Sequence, residues 1–295
     1  MDLGEEELFT DGPVTPTRVE TLLDLLRGLP HNKKIDRDML YQLLQPEGVP
    51  EIDPKKRDAA KDTVRAAREL ELIEETADKL IKIKFARNDS RAATNILLDA
   101  LDLKVLASTD VEPYFAKFYS YILSLDKQGL IDKSHDDWAR EFERDVYGHR
   151  PSNPFNKEKL FGLHRWMGYL GLGWYDSYGI FQPNPYERLL RRLKTIFSGR
   201  SKKLDSDEFM LRLADACPEL DAGAIFKQAN KQNNSEGKVC TLGLSHALVD
   251  LHLDGYIELF CPADSHGWSI ELAEPPSARL LQSSRIATVA LLKTT

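Results

Sequence analysis

Long apolar runs, cysteine pairs and phosphate-binding glycine loops are all missing from this chain of 295 residues. No apolar stretch approaches the roughly 18 residues a membrane span requires, so no membrane role is expected. Cysteine occurs three times, at Cys217, Cys240 and Cys261. An odd number cannot pair completely, and such scarcity points to a reducing, cytoplasmic setting. The opening residues, Met1-Asp2-Leu3-Gly4-Glu5-Glu6-Glu7, are acidic, the reverse of a signal peptide's basic n-region. Glycine and proline, at 17 and 15 residues, are too few for a low-complexity or collagen-like chain.

Catalytic signatures are missing too. There is no Gly-x-Ser-x-Gly elbow, no protease-type Cys/His signature and no Walker loop ending in Gly-Lys-Ser/Thr. The glycine cluster from Gly168 to Gly173 follows no strand, so it reads as the end of a helix. Without a Cys-x-x-Cys pair, Cys240, His246, Cys261 and His266 make a poor zinc set. They read as two buried thiols and two surface imidazoles, and neither metal nor cofactor is expected. Asp136, Asp137, Glu141, Glu143 and Asp145 sit at helical spacing that puts most of them on a solvated face opposite Trp138 and Phe142. A nuclease would need acids converging from several elements, with a lysine, to hold a metal and activate water. A non-enzymatic protein is therefore expected, with a latent nuclease as the enzyme-class alternative.

What is present is ordinary for a soluble globular chain: 42% hydrophobic, 29% charged, 33.5 kDa. That length predicts two or three domains. Thr15-Pro16-Thr17 followed by Val19, Leu22, Leu23, Leu25 and Leu26 predicts a capped first helix. Ile35, Met39, Leu40, Leu43 and Leu44 mark a second. A third starts near Pro54 and buries Ala60, Val64, Ala67 and Leu70. Leu72–Glu75 and Ile81–Phe85 then alternate as a β-hairpin. Three helices and a hairpin are the order of a winged helix-turn-helix over residues 1–88.

The same grammar returns twice. Residues 156–182 read as a helix with Leu160, Leu163, Trp166, Met167 and Leu170, then a short hairpin. Residues 204–274 end in a helix carrying Leu244, Leu248 and Leu251, then Tyr256–Phe260 and Trp268–Leu272 as two strands. Between the first and last units, residues 89–203 form a mainly helical centre. Residues 275–295 read as a tail, with Leu280, Leu281, Ile286, Val289 and Leu292 suggesting a docking helix. The expected class is α+β, mainly helical, with winged-helix units at both ends.

Charge supplies the functional pointer. The chain carries −7 in total, yet between Lys157 and Lys203 ten basic residues face three acidic ones. That local +7 leaves −14 elsewhere, a polarity suited to a polyanion on one face. Its candidate contacts are Arg165, Arg188, Arg191 and Arg192. In the first unit, Arg57, Lys61, Arg65 and Arg68 recur along one face of the third helix, beside its buried stripe. Lys82 and Lys84 fall on the hairpin. A winged-helix protein can place that helix in the DNA major groove. The competing reading is a solvated helix face, since Asp58, Asp62 and Glu69 adjoin it.

Two segments carry a family likeness. One runs Phe161-Gly162-Leu163-His164-Arg165-Trp166-Met167-Gly168-Tyr169-Leu170-Gly171-Leu172 and on to Phe181-Gln182-Pro183-Asn184-Pro185. The other runs from Asp207-Glu208-Phe209 through Cys217-Pro218-Glu219-Leu220-Asp221-Ala222-Gly223. With the overall length and the winged-helix ends, the chain resembles the DpdG family, accessory proteins of bacterial islands that insert and police 7-deazaguanine bases in DNA. The resemblance implies a phage-defence or restriction role beside helicases, an ATPase and nuclease-type partners. It carries over no catalytic residue. The expected function is a non-catalytic DNA-binding or assembly subunit, with DNA and other defence proteins as partners. A winged-helix protein scaffold without DNA contact is the alternative, and a transcription regulator stands third.

Overall fold

The computed structural model describes residues 8–9, 14–30, 34–45, 59–86, 89–109, 111–112, 114–125, 133–148, 154–177, 179–199, 201–231, 237–264, 266–271 and 284–293. The chain is mainly helical α+β, with small antiparallel sheets. It divides into two compact units: Met1–Pro113 with Phe161–Trp166, and Tyr114–Leu160 with Met167–Thr295. Among the described residues, no helix is long and apolar enough to cross a membrane.

In the first unit, helix α1 (Pro16–Gly28) begins where expected. The Thr15 side chain accepts from the Arg18 amide, and Pro16 occupies a position whose N–H would have no helical partner. Val19, Leu22, Leu23 and Leu26 give it one buried stripe. Asp36 caps α2 (Arg37–Leu44) by accepting from the Met39 amide at 2.8 Å. Helix α3 (Ala59–Glu69) buries Ala60, Thr63, Val64, Ala66 and Ala67. Its alanines are small enough for close packing on α1, which it contacts. Strands β1 (Ile73–Glu75) and β2 (Ile81–Ile83) pair antiparallel, with Ile73 opposite Ile83. The segment between α1 and α2 joins them: Asp36 bridges Leu80, and the Ile81 amide donates to the Ile35 carbonyl at 2.9 Å. Helix α4 (Ala93–Leu101) runs on into a widened π turn, Asp102–Leu106.

Two long-range contacts close this unit. The buried Glu112 carboxylate accepts from the amides of Leu8 and Phe9 at 2.8 and 2.9 Å. The Phe9 ring lies 4.1 Å from that of Trp166.

The second unit is built on aromatics. Helix α5 (Phe115–Leu123) is buried over nearly its whole length. Helix α6 (His135–Phe142) starts with a reciprocal Ser134/Asp137 capping box and extends through a π turn, Glu143–Tyr147. Phe118, Phe142 and Phe155 meet with centroids 4.9 to 5.5 Å apart. Glu143 is an exception to the solvated face that the spacing gives to most acids of this segment. It is buried instead, and its carboxylate accepts from the Phe155 amide at 2.8 Å. Helix α7 (Lys157–Leu170) contributes its middle to the first unit and its two ends to the second. It stops at Gly171, whose φ of +65° suits glycine. Strands β3 (Gly173–Tyr175) and β4 (Phe181–Pro183) follow as a hairpin.

Next come α8 (Tyr186–Ile196), β5 (Lys203–Asp205), α9 (Ser206–Ala216), α10 (Ala224–Ala229), α11 (Leu242–Leu253) and β6 (Ile257–Phe260). Strands β7 (Trp268–Ser269), β8 (Arg285–Ile286) and β9 (Thr288–Leu291) complete the chain order. Here two expectations fail. The strand at Trp268 does not return onto Ile257–Phe260; β7 pairs with β8. The tail around residue 289 is not a docking helix; β9 is the central strand of a three-stranded sheet, β5-β9-β6. Val289 sits opposite both Leu204 and Leu259, and all three are buried. Short apolar runs fit either period, and the β-branched Ile286, Thr288 and Val289 favour the extended form.

Candidate nucleic-acid interface

The cations of α3 define the candidate face. Lys61 and Arg68 are exposed and Arg65 is half-buried, on the side away from the alanine stripe. These three, with Arg37 and Tyr41 of α2 and Ile73, Glu74, Glu75 and Ile81 of the hairpin, line one surface groove of about 210 Å³. Glu75 fixes the Arg37 guanidinium by a 2.7 Å ion pair, and that bond raises the Arg37 pKa. Lys82 lies beside the groove on β2, exposed and in register with Glu74. Lys84 is drawn elsewhere, to Glu71 at 3.6 Å. Glu71 also holds Lys104 at 3.0 Å, and Lys104 is the chief cause of its lowered carboxyl pKa. Arg57 and Pro54 lie outside the described residues.

Sequence spacing put the α3 cations on one face, and it did not point to Arg37 or Tyr41. Nothing in a local pattern marks them, because α2 meets the hairpin only after the fold closes. The groove is also less basic than the spacing implies, since Asp62, Glu74 and Glu75 share it.

The central cations are placed differently. Arg165 is exposed on α7. Arg191 is half-buried and donates to the Leu170 carbonyl at 3.1 Å, closing the end of α7; Arg192 is half-buried. Arg188 is a correction. It is fully buried, its Nε donating to Glu219 at 2.7 Å and its Nη2 to the Ala216 carbonyl at 3.3 Å. A guanidinium enclosed in this way presents no surface to a phosphate.

Glu219 belongs to the Cys217–Gly223 segment singled out in the sequence. Its carbonyl accepts from the Ser120 hydroxyl at 2.7 Å, and Asn230 donates to the Ser120 carbonyl at 3.1 Å. Asp221, also buried, accepts from the amide and hydroxyl of Thr241 at 2.7 and 2.9 Å. Burial pushes its carboxyl up to about 6, and the Thr241 bonds oppose that rise. This segment is thus a buried polar junction tying α5, α8 and the start of α11 together. Apolar patterning could not locate it.

Helix α11 occupies in the second unit the place that α3 has in the first, just before a strand. Its chemistry is the reverse. Leu242–Leu253 contains no lysine or arginine, and it packs on α8 and α5. A side chain at Gly243 would run into Leu123 and the Pro183 carbonyl.

The thiols are enclosed as well. Cys217, Cys240 and Cys261 form no disulfide and are buried. Burial raises the Cys240 thiol well above its usual range and lifts Cys261 to about 11. Among the described residues, no group of three His, Cys, Asp or Glu side chains could hold a metal ion.

No curated protein and no solved structure matches the chain. A family model does, from residue 8 to residue 265, a span holding the α3 groove and the buried Arg188–Glu219 junction alike. The chain belongs to the DpdG-like family, and with it to the components associated with the Dpd modification system.

Proposed function

We propose that the protein is a non-catalytic DNA-binding subunit of a modification-dependent restriction system, and that the first unit supplies the contact. The observation that carries this is the gathering of Arg37, Lys61, Arg65 and Arg68 around one groove beside a β-hairpin bearing Lys82. The order of α1, the bridging segment, α2, α3 and the hairpin suits a winged helix-turn-helix, in which the third helix approaches the groove and the hairpin the backbone. Lysine and arginine without asparagine or glutamine beside them read phosphate better than base edges. Binding is therefore weakly sequence-dependent and steep in salt.

The test is a salt titration of duplex binding by the full chain. Each lost phosphate contact flattens the log–log slope by roughly 0.9. Changing Lys61, Arg65 and Arg68 together to Ala weakens binding and lowers the slope by about two to three units. An unchanged affinity and slope would remove the DNA reading. Incubation with Mg²⁺ or Mn²⁺ should leave the duplex intact; chelator-sensitive cleavage would make the protein an enzyme.

A second reading, a protein-binding scaffold, draws support from α11. That helix is apolar and packed where a DNA-reading helix would be polar and exposed. The two readings divide between the two units, and gel shift of the triple-Ala chain separates them.

A further inference from the structure

A second groove, of about 460 Å³, opens within the second unit. Its floor is made by Gly171 and Gly173, where α7 turns into β3, and by the buried Asn184. Trp174 of β3 and Leu253 of α11 stand at its sides, each 54% exposed. A cleft lined by large apolar side chains and a few converging polar groups has the usual composition of a binding site.

The polar lining has one sign. Glu187, Asp250 and Asp254 all face this groove, and its described lining holds no lysine or arginine. Neutral donors orient two of these carboxylates. The Tyr186 hydroxyl donates to Asp254 at 2.6 Å, and the Asn184 amide donates to Asp250 at 3.1 Å. Neither bond cancels charge. The packing also brings Glu187 close: a Cβ at Gly171 would collide with the Glu187 side chain, so the bare glycine lets α8 approach the end of α7.

From this arrangement we infer that the groove docks a basic segment of a partner protein, anchored by an arginine with an apolar neighbour. Charge complementarity selects the occupant. Three carboxylates repel a nucleic acid and attract a cation. The face of Trp174 suits a guanidinium by cation–π stacking, and a carboxylate suits its paired N–H donors. Leu253 provides the apolar contact for the neighbouring side chain. The inference does not rest on DNA binding by the first unit.

The experiment selects random 12-residue peptides, displayed on phage, against the immobilised full-length chain. Enriched peptides should share an arginine beside an aliphatic or aromatic residue. One such peptide, synthesised, should lose affinity about tenfold or more on Trp174→Ala, as anchor truncations do. Glu187→Gln should weaken it, and so should citrulline in place of the peptide's arginine. Trp174 and Glu187 are both exposed, and thermal melts of the two variants check folding independently. The inference is overturned if no peptide is enriched, if enriched peptides lack a cation, or if both variants keep full affinity. It is overturned equally if Trp174→Ala abolishes duplex binding, which would make the groove part of a nucleic-acid surface.

Discussion

Replacing Glu219 with Gln isolates what the buried Arg188 does. The two side chains are fully enclosed and meet at 2.7 Å. At an effective dielectric of about 20, two unit charges at that distance attract by about 6 kcal/mol. Removing each ion from water costs several kcal/mol, so the pair contributes little net stability. Losing one charge is different, because the guanidinium's positive charge then stays in the interior with no countercharge from Glu219. Glu219→Gln keeps the shape and loses the charge, and should cost about 3–5 kcal/mol. For a unit of this size that is a fall in Tm of about 6–20 °C. The double change Arg188→Met with Glu219→Leu should recover most of that loss, since both charges leave together. Urea denaturation, followed by circular dichroism and fluorescence together, measures all three chains. The reasoning fails if Glu219→Gln lies within about 1 kcal/mol of the parent, a cost typical of a surface pair. It fails also if the double variant is as unstable as the single. The refolded double variant should bind duplex with an unaltered salt slope, because Arg188 reaches no phosphate.

Other expectations follow from the same unit. Asp221 holds its proton up to about pH 6 in the folded state, above its unfolded range. Its stabilisation is therefore complete below about pH 4 and is lost as pH rises through 6, a change of about 3 kcal/mol. Subtracting the stability curve of Asp221→Asn from that of the parent should reveal this fall; a flat difference between pH 4 and 7 would contradict it. The three cysteines should resist a disulfide reagent in the native chain and all react in denaturant, since each thiol is buried. Rapid native labelling of any would be inconsistent with that burial. Gly223→Ala should destabilise by about 1–3 kcal/mol, because its Cβ would strike the Pro218 backbone, which has little room to move. A Tm equal to the parent's would show that the turn can give way.

Helix starts were legible in the sequence because capping is local. Thr15-Pro16 announces the first helix by chemistry within three residues. The β1–β2 hairpin was legible for the same reason, its alternation lying in one short window. The α3 cations could be read from spacing alone. What escaped depends on partners distant in sequence. Arg188 looks like any helix-face arginine until Glu219, 31 residues away, closes over it. Spacing alone could not single out Glu143 as the buried acid that meets the Phe155 amide. Arg37 is held at the groove by Glu75, 38 residues away. The sheet β5-β9-β6 could not be read because its central strand comes last. A hairpin between neighbouring strands was the simpler topology and the wrong one.

That late central strand has a kinetic consequence. Lys203 pairs with Ala290, so at 5–20 residues per second β5 waits roughly 4–17 s of synthesis for its partner. Strand β6, made later, waits a shorter time. Until β9 arrives, each of these strands, once made, carries unpaired N–H and C=O groups, a template for any other extended chain. Folding of this region is thus governed by arrival of a distant segment, the slow regime for non-local pairing. Shortening the chain before residue 288 would leave two open edges, and the nascent protein would be more exposed to aggregation than the finished one.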